Sequence, residues 1–236
     1  MNGSERPGRA VIVNADDFGA SSGINLGIIE GHRDGIVTSA SLMVTGRAFD
    51  GAVELAGEHP DLAIGLHWDV WGEDERSFDL DDPAAVRGEV RRQLDLFQDR
   101  MGRPPTHVDS HKHAHLDQRV FPIVLEEVAD LGVPVRGDGR VEFVGGFYAQ
   151  WEWRITELEH VSVAALCGIL RDEVTSPWTE LSCHPGHPSP DFTSIYLDER
   201  EAELATLCDP AVRQAIDGLE LRLASFAEVP DMPAGA

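Results

Sequence analysis

The sequence predicts a single α/β domain of barrel-like form, with about seven parallel strands joined by crossover helices. Three observations predict it. Short apolar runs alternate with longer amphipathic ones from end to end, the order that parallel strands with crossovers require. Seven strand candidates suit a closed or nearly closed barrel better than an open doubly wound sheet, which is the alternative. Ionisable residues also recur just after the apolar runs, where enzymes built on such barrels carry their chemistry. No internal repeat, low-complexity tract or linker interrupts the pattern, so residues 1–236 read as one domain with a core over about 10–224 and short flexible tails.

The first strand candidate, Ala10–Ala15, runs straight into the acids Asp16 and Asp17. A helix is expected over Ile24–His32, then a strand over Val37–Val44 and a helix over Phe49–Gly57. Leu62–His67 reads as the third strand and delivers His67 and Asp69. After a helix over Pro83–Met101, the fourth strand, Thr106–Asp109, delivers Asp109 and His111. The helix Arg119–Leu131 sets Phe121, Val124, Leu125 and Val128 on one stripe of period 3.6. Gly132-Val133-Pro134 punctuates the next joint, and a fifth strand over Val133–Arg136 ends on Arg136. A helix over Ile155–Val174 leads to the sixth strand, Glu180–Cys183, and to His184. A helix over Asp198–Asp217 and a strand over Leu219–Leu223 complete the order.

Charge narrows the functions available. The chain has 19 Lys+Arg against 42 Asp+Glu, a formal charge of −23. That field repels a phosphate backbone, which argues against a nucleic-acid partner, and it disfavours an anionic membrane surface. Lys112 is the only lysine. Cys167, Cys183 and Cys208 are widely spaced and odd in number, so no disulfide framework suggests itself. The N-terminus lacks the apolar core of a signal peptide, and no stretch is long enough to cross a bilayer. A soluble cytoplasmic protein without membrane insertion is expected.

Five strand ends thus carry polar or ionisable groups to one rim. Asp16-Asp17 alone fits a turn with a helix cap, and His67 alone fits a hydrogen-bonded core histidine. Two carboxylates at one buried strand end repel each other unless a cation or a shared proton relieves them, and histidines on neighbouring strands favour the cation. One aspartate with two histidines leaves coordination positions open for water and substrate, the pattern of a catalytic metal site.

The blocks VNADDFG, GLHWD, THVDSHKHAH and ELSCHPG, with GIVTSASLMV between the first two, resemble the YdjC-like carbohydrate deacetylases from about Val11 to Leu223. The resemblance implies a β/α-barrel-like fold, one divalent metal ion (Mg2+ or Zn2+) and hydrolysis of the N-acetyl group of an amino sugar or oligosaccharide. It also implies a homodimer. By the matched motifs the metal ligands are Asp17, His67 and His111, the catalytic base is Asp16 and the general acid is His184. Two departures bear on which sugar is used: a short segment between His67 and Thr106, and Lys112 where the chitooligosaccharide enzymes tend to have histidine. Competing readings are another barrel amidohydrolase or phosphoesterase on the same ligands, or a sugar- or metal-binding relative without turnover.

Three residues are left in supporting or substrate-contacting roles: Asp109 to orient a ligating imidazole, Arg136 to orient Asp16 or bind substrate, and His115. In HVDSHKHAHL, His107 lies too far from His111 along an extended strand to share its metal. If the chain turns helical after Ser110, His115 returns beside His111 as a rival ligand. Cys183 adjoins His184 but faces the opposite way on a strand, so a cysteine nucleophile is not expected. The five aromatics of segment 143–153, VEFVGGFYAQWEW with its preceding valine and glutamate, are expected to pack on the barrel, with a substrate wall as the alternative. Trp68 and Trp71 are read the same way.

Overall fold

A computed structural model describes residues 8–70 and 79–230. Its sheet has seven strands, all in parallel pairs: β1 (Ala10–Phe18), β2 (Ser39–Leu42), β3 (Ala63–Trp68), β4 (Val108–Ser110), β5 (Glu142–Val144), β6 (Trp178–Cys183) and β7 (Arg222–Ala224). The order is β4-β3-β2-β1-β6-β5, and β7 pairs with β1. One edge of β1 serves two strands in turn: Ala10–Ile12 face β7, and from Asn14 onward the partner is β2. Helices α1 (Ser22–Arg33), α2 (Phe49–Glu58), α3 (Pro83–Met101), α4 (Phe121–Val128), α5 (Val163–Asp172), α6 (Asp198–Leu207) and α7 (Pro210–Gly218) supply the crossovers. Trp71 lies outside the described residues.

The sheet curls, and a short connection shows how far. Beyond β4, Val108 N–H donates to Pro134 O and Arg136 N–H donates to Val108 O, which sets residues 134–136 along that edge. At Glu142 the same chain pairs with β6 at the opposite edge. Six residues span at most about 20 Å, so the two edges approach each other and the sheet forms a partial barrel. Inside it, strand alternation sorts the side chains. Val11, Val13 and Ala15 join the core under the helices, while Ala10 and Ile12 pack within the barrel against Val141, Ala224 and Phe226. Asn14 and Asp16 follow Ile12 in the same parity, so the interior passes from apolar to polar toward the rim.

Three expected elements differ. Val133–Arg136 is not a ladder strand: only Val135 bridges to Val108. Pro134 has no N–H to give a ladder, and Gly137 and Gly139 at φ 89 and 87 turn the chain away. The strand beside β6 is instead β5, within the aromatic segment. The long helix expected over Asp198–Asp217 is two, because Pro210 cannot continue α6 and starts α7 behind its cap Asp209, whose side chain accepts from Ala211 N–H. The helix expected over Ile155–Val174 forms only from Val163, where Ser162 caps it. Smaller shifts of a few residues occur at the strand ends and at α4, which gives way to a 3-10 turn before Gly132.

His107 lies deep in the barrel, 1% exposed, as its position on the strand predicts. Its ring stacks on Phe226 with centroids 3.8 Å apart, and its Nε2 lies 3.0 Å from Ser41 Oγ. A glycine is required on the adjacent strand, since a Cβ on Gly65 would meet the His107 ring at 2.4 Å. Gly65→Ala is therefore expected to lower the unfolding free energy by about 1–3 kcal/mol through overpacking, read as a lower denaturant midpoint at unchanged slope.

Candidate active site

The register of β1 slips between Ala15 and Phe18 where it pairs with β2, and in that irregularity Asp17 adopts φ 70. The slip lets Asp16 and Asp17, successive residues that a regular strand would send to opposite faces, both serve one site. Asp17 Oδ1 lies 3.3 Å from His67 Nε2 and 3.0 Å from His111 Nδ1. Donor atoms of these three side chains all lie within 4.8 Å of one another. Asp17 Oδ2 accepts from Arg200 Nη2 at 2.6 Å.

The chemistry of the three groups fits a divalent cation. His67 Nδ1–H donates to Asp109 Oδ1 at 2.7 Å, since a carboxylate only accepts. Nε2 faces the Asp17 carboxylate, so a neutral His67 would turn a lone pair toward it, and a cation between them, a proton or a metal ion, relieves that repulsion. His111 Nε2 is buried without a hydrogen-bond partner. Burial opposes charge on His67, yet Asp109 outweighs it and raises its pKa well above the usual histidine value, so the spot favours positive charge. Asp16, His67 and Asp109 also lie together, but both of those carboxylates are already engaged by Arg136.

Arg136, 4% exposed, reaches into the barrel from the segment beside β4. Its Nη1 and Nη2 fork onto the two oxygens of Asp16 at 2.9 and 2.8 Å. Nη2 also lies 2.8 Å from Asp109 Oδ2 and 2.6 Å from Glu180 Oε1. Burial pushes the Asp16 carboxyl up, and the guanidinium overcomes that and holds it below the usual carboxylate range. Glu180, buried on β6, is still pushed up by burial despite the same guanidinium. His184 follows Glu180 and Ser182 in parity, with Nε2 4.0 Å from Asp16 Oδ2 and Nδ1 3.9 Å from Glu203 Oε1. Burial pushes its pKa down to about 4. Glu203 accepts from His184 N–H and from the Tyr196 hydroxyl, both at 2.5 Å. Burial nevertheless pushes Glu203 up to about 8.

The expected residues divide as follows. Asp16, Asp17, His67, His111 and His184 line one cleft, and Asp109 and Arg136 brace them from below. The chain does turn after Ser110, but His115 is no ligand. Its Nδ1 accepts from Ser110 Oγ at 2.5 Å and its Nε2 donates to Arg136 O at 2.9 Å, so both nitrogens are committed and the ring tethers the Arg136 segment. Cys183 is buried on the outer face, and burial pushes its thiol well up, which removes it as a nucleophile. Of the aromatics, Phe147 and Trp68 are core, Phe143 packs on Arg136, and Trp151 and Trp153 stand exposed. Arg200 and Glu203 were not anticipated. Both lie on α6, whose sequence DEREAELATL reads as a solvated face; the run of charges carries no signal that three of them (Glu199, Arg200 and Glu203) are buried.

Comparison with known proteins agrees with this architecture. The family model described as YdjC-like protein matches residues 10–218. A carbohydrate deacetylase of Brevibacillus brevis is 32% identical over 255 residues, which cover 93% of this chain and 99% of the relative. A solved structure from Enterococcus faecalis V583, described as a candidate cellobiose-phosphate cleavage protein, superposes with a TM-score of 0.83 at 24% identity, covering 95% of this chain and 100% of that one. A family 4 acetyl xylan esterase from Clostridium thermocellum, in complex with a cobalt ion, superposes with a TM-score of 0.55 at 13% identity, covering 93% and 89%. The two structural likenesses concern the fold.

Two outcomes are expected from the buried charges. Arg136→Leu strands three carboxylates without their cation and should cost roughly 3–5 kcal/mol of stability, measured by denaturant unfolding, with Arg136→Lys recovering part of it. Glu203 has a folded pKa of about 8, above the 4.5 of a free glutamate, so the folded state binds the extra proton between those values. Its contribution therefore falls as pH rises from about 4.5 to about 8. Glu203→Gln should flatten that slope, and melting temperatures of the two proteins across this pH range check it.

Proposed function

This chain belongs to the YdjC-like protein family, and we propose that it is a metal-dependent hydrolase that removes the N-acetyl group from an amino sugar or oligosaccharide. The observation that carries the reading is the Asp17–His67–His111 trio in one cleft with a carboxylate, Asp16, and an imidazole, His184, beside it. The name of the Brevibacillus brevis relative, carbohydrate deacetylase, supports the same chemistry.

We assign the metal to Asp17, His67 and His111, with Mg2+ or Zn2+ as the candidates. An ion held there lowers the pKa of a bound water and polarises an acetyl carbonyl. Asp16 is assigned as the base that takes the water's proton. Because Arg136 holds its carboxyl low, Asp16 is ionised and ready at neutral pH, and the bidentate fork fixes the direction its oxygens face. His184 is assigned as the group that protonates the departing sugar nitrogen. Burial keeps it neutral in the free protein, so it has to hold a proton only as negative charge develops near Nε2. The 4.0 Å between His184 Nε2 and Asp16 Oδ2 supports a short path from the base that gains a proton to the acid that spends one.

Two substitutions separate the roles. In an acetate-release assay on N-acetylglucosamine derivatives, with protein stripped of metal and reloaded, Asp16→Asn should lose about 10²–10⁴-fold in rate while metal content stays near that of the parent. Asp17→Asn should lose the metal as well as the activity. Metal lost with Asp16→Asn and kept with Asp17→Asn would reverse the two assignments.

A further inference from the structure

Most of the histidines belong to the barrel interior or the cleft, and four do not: His32, His59, His160 and His187. His160 and His187 each face a glutamate, 3.7 Å from Glu157 and 2.9 Å from Glu30. His32 and His59 face each other, with ring centroids 6.2 Å apart and planes at 80°. His32 stands in the last turn of α1, and His59 is the residue that ends α2. The pair therefore lies beside the starts of β2 and β3, at the end of the barrel away from the cleft.

Both rings are set up alike. His32 Nδ1–H donates to Val37 O and His59 Nδ1–H donates to Leu55 O, each at 2.9 Å, since a carbonyl only accepts. Each neutral ring keeps its lone pair on Nε2, and no hydrogen bond among the described residues engages that atom. A carbonyl behind Nδ1 is the support that ligating histidines commonly have. The His67–His111 pair, assigned above to the metal, has a similar arrangement, with centroids 5.8 Å apart and planes at 75°. Zn–N bonds of about 2.0–2.1 Å set two ligating rings with centroids roughly 5–6 Å apart, so His32 and His59 need to close by about an ångström or less. His113 and His115 are also neighbours, but both nitrogens of His115 are committed.

The location suits a cation. Two helices present their C-terminal ends there, where the backbone dipoles are negative. Both rings are half-buried, open to an ion from solvent, and the chain's charge of −23 draws cations toward it. We propose that His32 and His59 form a second metal site, which takes a divalent transition-metal ion such as Zn2+ through the two Nε2 atoms and ties the end of α1 to the end of α2. Imidazole suits such ions, whereas a hard ion such as Mg2+ needs oxygen ligands and stays out. The pair belongs to no three-residue cluster among the described residues, so water supplies the other positions and the ion exchanges readily. α1 joins β1 to β2 and α2 joins β2 to β3, so the ion braces the crossovers on either side of β2, the strand against which the β1 register slips at Asp17. The inference stands apart from the deacetylase reading, since the pair lies off the cleft.

Calorimetric titration of the metal-stripped full chain tests this without requiring turnover. The parent should take two equivalents of Zn2+ and at most one of Mg2+. Groups that only orient a ligating histidine are worth about 10–100-fold in affinity, so His32→Gln and His59→Gln should each weaken the second equivalent by at least that much. Both variants should keep the first equivalent, which also shows that they are folded. Asp17→Asn should lose the cleft equivalent and keep this one, and Zn2+ should still raise its melting temperature. Adding His59→Gln to Asp17→Asn should abolish that rise. His187→Gln removes a histidine already paired with Glu30 and should leave both equivalents in place. A single equivalent of Zn2+ in the parent, a second one that survives both histidine substitutions, or one lost with His187→Gln overturns the proposal. Loss of the first equivalent with Asp17→Asn bears on the cleft alone, so the two metal assignments fail separately.

Discussion

One guanidinium makes the interior of this barrel possible. Asp16, Asp109 and Glu180 are each at most 3% exposed and converge from three strands on one space, where three unrelieved carboxylates would drive the barrel apart or take up protons. Arg136 lies within 2.9 Å of all three. Its planar fork serves two acids at once with separate N–H groups, which the single ammonium of a lysine does not reproduce. The position of Arg136 is in turn held from both sides. Its backbone N–H is paired to Val108 O and its carbonyl to His115 Nε2, so the segment beside β4 is anchored before the side chain enters the barrel.

From that centre a hydrogen-bonded path runs outward to the rim. Arg136 fixes Asp109, Asp109 accepts from His67 Nδ1–H, and His67 turns Nε2 toward Asp17. Ser41 donates to the other oxygen of Asp109 at 2.6 Å, and Asn14 donates to both Asp16 and Ser41. The orientation of the His67 ring is thus set by a group farther from solvent. This is how a site keeps its geometry when its outermost members are partly exposed. Beneath the polar layer, His107, Ile12 and Phe226 close the barrel with apolar contact, and His107 stays neutral because burial pushes its pKa down to about 4.

A second cation balances the other side of the cleft. Arg200 on α6 pairs with Asp17 at 2.6 Å and donates through Nη1 to His184 O, which couples the helix to both ends of the site. Glu203, one turn later on the same helix, underlies His184. The cleft therefore has two kinds of cation. Arg136 and Arg200 are buried and paired with its acids, while Arg47, Lys112 and Arg154 are exposed and meet no carboxylate among the described residues.

The alternation of strands and helices along the chain, the parity within strands and most of the residues at the strand ends were legible in the sequence, whereas the fifth strand was not: it lies at Glu142–Val144 and not at 133–136. A run such as Ala10–Asp17 has few ways to be buried, and its period of two decides which neighbours share a face. That logic sorted His184 from Cys183, and it set His107 deep below His111. It failed where the backbone leaves its regular period or where a pairing spans the fold. Asp17 joins Asp16 only through a register slip. His115 changed from rival ligand to tether once Arg136 O was seen beside it. Pro210 divides a helical pattern whose charges look continuous, and Arg200 and Glu203 lie in a run that resembles a solvated surface until the barrel rim covers it. The sequence by itself determined which chemical groups reach the rim, because alternation and element order are local properties. Which charges neutralise one another only the tertiary structure decided, because ion pairing depends on distances across 94, 120 and 183 residues of chain.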